Sequence, residues 1–133
     1  EKPDEMPAIK ADAQLLKQVI QNLIYNAINY NRESGSVTVK IKAQDKHAII
    51  EVDDTGMGIP KEEQRKIFIK FFRGGSAIKA NPGGSGLGLY IVKAMLNLCH
   101  GKIYFKSIEG RGTTFYVSVP IAGMPAKVGP KNY

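Results

Sequence analysis

The sequence predicts an α+β domain with its helices packed on one face of a sheet. Two observations carry that expectation. Segments of helical and strand periodicity run in the order helix, two strands, helix, loop, helix, two strands. Each pair of strand-like runs is joined by a turn short enough for a hairpin. The length of 133 residues with 43% hydrophobic content suffices for one buried core.

The first helix is expected over about Asp12 to Asn31. Asp12 is the N-cap candidate, and Leu16, Val19, Leu23, Ala27 and Tyr30 recur at spacings of three and four. Ser36 to Ala43 ("SVTVKIKA") and His47 to Asp54 ("HAIIEVDD") are β-rich and form the first hairpin. "DTGMGIP" ends the second strand, and a short helix is expected from about Lys61 to Lys70, with Pro60 at its start. Arg73 to Ser85 ("RGGSAIKANPGGS") is rich in turn residues and is expected to be a loop. Gly86 to His100 has helical period through Leu89, Val92 and Leu96. "KIYFKSIE" and "TTFYVSVP" make a second hairpin around the turn Gly110 to Gly112. A single domain over 1–121 is expected, with a Pro/Gly/Lys-rich tail or linker over 122–133.

The chain opens at Glu1 with no initiator methionine and no signal-like segment, so a piece of a longer protein is expected. The most apolar run, Leu89 to Leu98, is interrupted by Lys93 and too short to span a bilayer. The single Cys99 cannot pair within the chain; it suits a reducing compartment and a small core position at a helix end. Net charge is +7, from 19 basic against 12 acidic residues. The basic residues are scattered in nothing longer than a pair, so charge alone assigns no partner.

Three groups of residues point to chemistry. Asn22, Asn26 and Asn29 stand at i, i+4 and i+7 and fall within about 60° on a helix, beside the apolar stripe. Any one of them alone is an ordinary solvated helix edge. Three poor helix formers together at the core margin suit a polar cavity, and amide oxygens are ligands that Mg²⁺ accepts. In "DDTGMGIP", Asp54 can accept a hydrogen bond from an exocyclic amine such as adenine's, while Gly56 and Gly58 let backbone approach a flat ligand. Asp53 is an exposed neighbour on this reading. "GGSGLGLYIVK", Gly83 to Lys93, lacks the Lys-Ser or Lys-Thr of a P-loop and the last glycine of a dinucleotide fingerprint. Gly86 and Gly88 nevertheless open a helix, whose free N–H groups favour an anion, with Arg73 and Lys79 in the same loop.

In order, "NLIYNAINYN", "VDDTGMGIP", "IFIKFFRG" and "GGSGLGLYIVK" resemble the N box, first glycine box, F box and second glycine box of the ATP-binding domain of bacterial sensor histidine kinases. "HGKIYFKSIEGRGTTFYVSVP" resembles the closing hairpin of that family, so the resemblance covers about Ala11 to Pro120. It implies a two-layer α/β sandwich of the Bergerat type, with about three helices on one face of a mixed sheet. The implied cofactors are ATP and Mg²⁺. Asn26 would ligate the metal, and Asn22 would line the triphosphate side as the second catalytic residue. Asp54 would bind the adenine amine, with Gly56 and Gly58 admitting the base. Gly84, Gly86 and Gly88 would move a lid and bring N–H groups to phosphate, and Phe68 and Phe71 would anchor its hinge or serve the core. Asn29, Tyr30, Arg73, Lys79 and Leu87 complete the residues expected at the nucleotide. Asn29 departs from the basic residue many relatives carry there, leaving Arg73 or Lys79 to supply that charge.

The implied activity is transfer of the ATP γ-phosphoryl group to a histidine on a separate dimerisation domain of the same parent, and then to a response regulator. Neither His47 nor His100 has an acceptor's helical context. No nucleic acid is expected as a partner. The domain is expected to be cytoplasmic, with any inner-membrane anchor in other parts of the parent. Other readings stay open: an ATP hydrolase, which would need a glutamate where Asn22 stands, a protein-serine kinase, or a non-catalytic nucleotide-binding regulator.

Overall fold

The computed structural model describes residues 13–120. The cap expected at Asp12 and the tail expected over 122–133 lie outside them. Helix α1 runs Ala13–Asn29, strands β1 and β2 run Val37–Gln44 and His47–Asp54, helices α2 and α3 run Gly75–Ala80 and Gly88–Leu98, and strands β3 and β4 run Lys102–Ile108 and Gly112–Pro120.

Both expected hairpins form. They join through β2 and β4, so the sheet order is β1-β2-β4-β3. Every pairing among the described residues is antiparallel, rather than mixed as the resemblance implied. The reason is topological: two hairpins meet along strands that run in opposite directions, so directions alternate across the whole sheet.

Alternation along the strands creates one buried face. Ala48, Ile50 and Val52 of β2 and Phe115, Val117 and Val119 of β4 point to the same side. Val19, Leu23 and Ala27 of α1 and Val92 and Leu96 of α3 cover it, which makes the two layers. Each such large side chain contributes about 1.5–3 kcal/mol on burial. Cys99 is buried just past the end of α3, as its position suggests. Phe68 packs edge-to-face on Phe105, with ring centroids 6.1 Å apart, and so extends the core.

Two elements differ from the sequence expectation. The helix expected over Lys61 to Lys70 is a 3-10 turn, Lys61–Glu63, followed by further turns. Lys66 and Ile69 donate their N–H groups three residues back, to Glu63 and Lys66, so no α-helical ladder develops. Gln64 is meanwhile tied to the carbonyls of Ile59 and Ser107, which sets the segment by tertiary contact. Conversely, the loop expected over Arg73 to Ser85 contains α2. Its Ala77 carbonyl, and those of Asn81 and Pro82 just beyond it, receive hydrogen bonds from the Arg73 guanidinium. That cap comes from outside the helix, and no local pattern announces it.

Candidate functional site

A cavity of about 340 Å³ opens between α1, the ends of β2 and β4, and the 73–88 segment. Its size suits a small-molecule ligand. The two ends differ chemically.

At one end stands Asp54, the last residue of β2. Its Oδ1 accepts hydrogen bonds from the N–H of Gly56 (2.8 Å) and of Thr113 (3.3 Å). No protein donor among the described residues reaches its other oxygen, Oδ2. Burial pushes the Asp54 carboxyl above its usual value, and Asp53 adds to this, while the two N–H groups oppose it. Met57, Ile59, Ile67 and Phe115 line the same end with apolar surface. A Cβ at Gly56 would run into the carbonyl of Tyr30, and one at Gly58 into that of Ile108. Gly58 also has φ +71°, which favours glycine. This end fits a flat, largely apolar ring that presents a hydrogen-bond donor.

At the other end Asn22 and Asn26 line the cavity, and neither side-chain amide has a protein hydrogen-bond partner among the described residues. Unpaired, half-buried amides at a cavity wall are costly unless a ligand satisfies them. Asn29 is different, because its amide is spent on the carbonyl of Tyr25, 2.8 Å away. The asparagine strip therefore divides, with two members at the cavity and one holding the helix. Gly86, Leu87, Gly88 and Leu89 face the same cavity at the start of α3. No side chain caps that 11-residue helix, so first-turn N–H groups are available to an anion. Amide oxygens without a competing carboxylate cluster fit a magnesium ion that takes its remaining ligands from phosphate and water. Among the described residues no group of three or more His, Cys, Asp or Glu gathers to hold a metal without a substrate.

Of the residues expected from sequence, Asn22, Asn26, Tyr30, Asp54, Gly58, Arg73, Gly84, Gly86, Leu87 and Gly88 line the cavity. Asn29, Gly56 and Lys79 do not; Gly56 acts through its N–H on Asp54, and Lys79 is exposed on α2. Arg73 reaches the cavity wall, but its guanidinium is committed to the carbonyls of Ala77, Asn81 and Pro82. Phe71 is 64% exposed with φ +69°, and its N–H donates to the carbonyl of Gly86 at 2.9 Å. Its backbone, not its ring, joins the base of the 73–88 segment. Asp53 lies on the opposite sheet face, bonded by Thr114 at 2.5 Å.

Sequence reasoning missed Thr113, which is 6% exposed, orients Asp54 through its N–H and exchanges a hydroxyl bond with Ser107 at 2.8 Å. It also missed Met57, Ile59 and Glu63. Their placement follows from the chain folding back after β2, which leaves no periodic signal.

Residues 11–123 match the family described as histidine kinase-, DNA gyrase B- and HSP90-like ATPase. The solved mycobacterial sensor histidine kinase MprB superposes with TM-score 0.76 at 30% identity, covering 85% of this chain and 76% of that one. The chain belongs to this family, as a histidine kinase catalytic domain that binds ATP. Such a histidine kinase domain is also found in the sensor histidine kinase WalK of Bacillus subtilis, 39% identical over 120 residues, which are 89% of this chain and 20% of WalK. The kinase ShkA, solved in complex with AMPPNP, matches at TM-score 0.74 and 30% identity, over 88% of this chain and 24% of ShkA. The chain thus spans only about a fifth to a quarter of the length of these last two relatives. No helix among the described residues is long and apolar enough to cross a membrane.

Proposed function

We propose that this domain binds MgATP and passes the γ-phosphoryl group to a histidine on a separate helical domain of its parent, from which a response-regulator aspartate receives it. The observation that carries the reading is the pair of amides, Asn22 and Asn26, without protein partners among the described residues, sharing one cavity with the uncapped start of α3 and, at its far end, Asp54.

Asp54 accepts the exocyclic amine of adenine through its free oxygen, and Met57, Ile59 and Phe115 cover the ring. The N–H groups of Gly86, Gly88 and Leu89 hold the phosphates, while that of Leu87 donates to the Ser85 hydroxyl at 3.2 Å. Asn26, with Asn22 beside it, holds the magnesium ion, which when bound neutralises charge on the triphosphate. In the transfer, the acceptor imidazole nitrogen forms a bond to the γ-phosphorus as the bond to the ADP oxygen breaks, and ADP leaves. The protein's contribution is positioning and electrostatics. An amide at position 22 cannot take a proton from water, which disfavours hydrolysis. His47 opens β2 and His100 follows α3, and neither lines the cavity, so the acceptor comes from another domain. On this reading the ATP-binding unit spans 1–121, with 122–133 as a tail or linker. The domain works in the cytoplasm, any membrane anchor belonging to other parts of the parent.

Radiolabelled ATP offered to this chain, to the parent's histidine-bearing helical domain and to their mixture tests the proposal. Label should appear only in the mixture, on the helical domain, acid-labile and base-stable. Acid-stable label on this chain alone would make it a serine kinase, and steady phosphate release without label would make it a hydrolase.

A further inference from the structure

Three backbone segments meet behind the Asp54 end of the cavity: the exit of α1 (Tyr30 to Arg32), the loop after β2 (Thr55 to Gly58) and the β3–β4 turn at Gly110. The Met57 N–H donates to the Tyr30 carbonyl at 3.1 Å, and the Gly110 N–H donates to the Met57 carbonyl at 2.7 Å. These backbone bonds connect the three segments in series, with the loop after β2 in the middle. Arg32 closes it. Its Nε–H donates to the Thr55 carbonyl at 2.7 Å and its Nη2 to the Gly110 carbonyl at 3.2 Å, partners 23 and 78 residues away in sequence.

We infer that Arg32 is a positioning residue for the base-binding end of the cavity, setting the Asp54 carboxylate from outside without touching the ligand. Arg32 does not line the cavity, whereas Tyr30, Asp54, Met57 and Gly58 do. Both N–H groups that orient Asp54 ride on the segments Arg32 ties together, Gly56 in the loop and Thr113 just after the turn. Displacing either segment turns the carboxylate. Both acceptors of the guanidinium are neutral carbonyls, and Lys42–Glu51 is the ion pair found among the described residues, so Arg32 is held for the geometry of its fork rather than for a countercharge. Asn31 reinforces the knot, accepting from the Thr55 hydroxyl at 3.1 Å and donating to the Ser36 carbonyl at 2.8 Å.

The inference rests on the proposed adenine contact at Asp54, and its test separates the two. Calorimetric titration of the 133-residue chain with ATP and with adenosine would compare the parent, Arg32→Ala, Arg32→Lys and Asp54→Asn, each verified as folded at the working temperature. Arg32→Ala should weaken both ligands by the same factor, roughly three- to tenfold for two exposed charge-assisted bonds. Arg32→Lys, which keeps a cation able to reach one carbonyl, should fall between. Neutral adenosine removes any general charge effect on the triphosphate. A loss confined to ATP overturns the inference, as does parent-like binding of both ligands by Arg32→Ala while Asp54→Asn is weakened. If Arg32→Ala does not fold, parent-like binding of both ligands by Arg32→Lys overturns it equally. Parent-like binding by Asp54→Asn as well overturns the adenine contact itself, and the inference with it.

Discussion

At the Asp54 end of the cavity the wall includes the ends of two paired strands and a glycine, Gly58, set against the Ile108 carbonyl. At the other end, across from α1, part of the wall is a six-residue helix, α2, with no buried residue, whose Ala77 carbonyl is bonded by Arg73. In the proposed function the first end takes the ring of the nucleotide; it is built into the sheet, so its geometry survives as long as the fold does. The second, given to the phosphates in that proposal, includes a wall that depends on a few side-chain bonds to carbonyls, which places that wall among the less stable parts of the structure. Selectivity therefore sits on the rigid end and adjustment on the other. A domain that must admit, clamp and release a nucleotide needs both.

The largest expected effect tests the rigid end. Asp54→Asn removes a charge-assisted hydrogen bond and should cost about 1.5–3 kcal/mol of ATP affinity, one to two decades, by calorimetric titration. Unchanged affinity in the folded variant would take Asp54 out of the contact and dissolve the comparison.

Next comes backbone tolerance. Gly58→Ala puts a methyl group at φ +71° against the Ile108 carbonyl and should lower stability by about 1–3 kcal/mol in urea titration. An unaltered midpoint would mean that the strand-end wall is as yielding as the helical one.

Asn26→Ala should act on the phosphate side alone. With the metal ligand gone, nucleotide affinities measured with and without magnesium should converge, and the fold should hold because alanine is the better helix former. An identical magnesium response in variant and parent would remove Asn26 from the metal.

A smaller effect follows from the raised Asp54 carboxyl. The folded state binds this proton more tightly than the unfolded chain, whose carboxyl titrates near its usual value. This group's stabilising contribution is thus present in acid and is lost as pH rises through the folded value. Thermal unfolding of Asp54→Asn should lack that loss, making the variant relatively more stable than the parent at neutral pH. The residue would then weaken the fold for the sake of the ligand. A constant difference between the two proteins across that range would contradict it.

The smallest effect belongs to the other end. Gly83 has open space around its Cα and no positive φ, so Gly83→Ala should shift stability by no more than about 0.5 kcal/mol. A cost equal to that of Gly58→Ala would show the 73–88 segment to be as tightly built as the strand ends.

Much of this was legible in the residues. Periods of two and of three to four residues record which face of a strand or helix is buried, and they placed α1, α3 and all four strands. The place of Asp54 and Gly58 at the cavity was legible for a related reason, since a carboxylate ending an apolar strand needs a ligand or a donor. Where a side chain's partner is distant, no such record exists. Nothing near Arg73 distinguishes a phosphate ligand from a clamp on α2, and nothing in "YNRES" marks Arg32 as the tie between Thr55 and Gly110.

The asparagine strip shows the division within a single helix. Its spacing alone determined that Asn22, Asn26 and Asn29 share a margin of the core, because helical geometry is local and repeats every 3.6 residues. Only the tertiary structure decided that two of them face a cavity while the third bonds back to Tyr25. That choice depends on what packs across from each amide, and the packing partners arrive from strands and turns dozens of residues away.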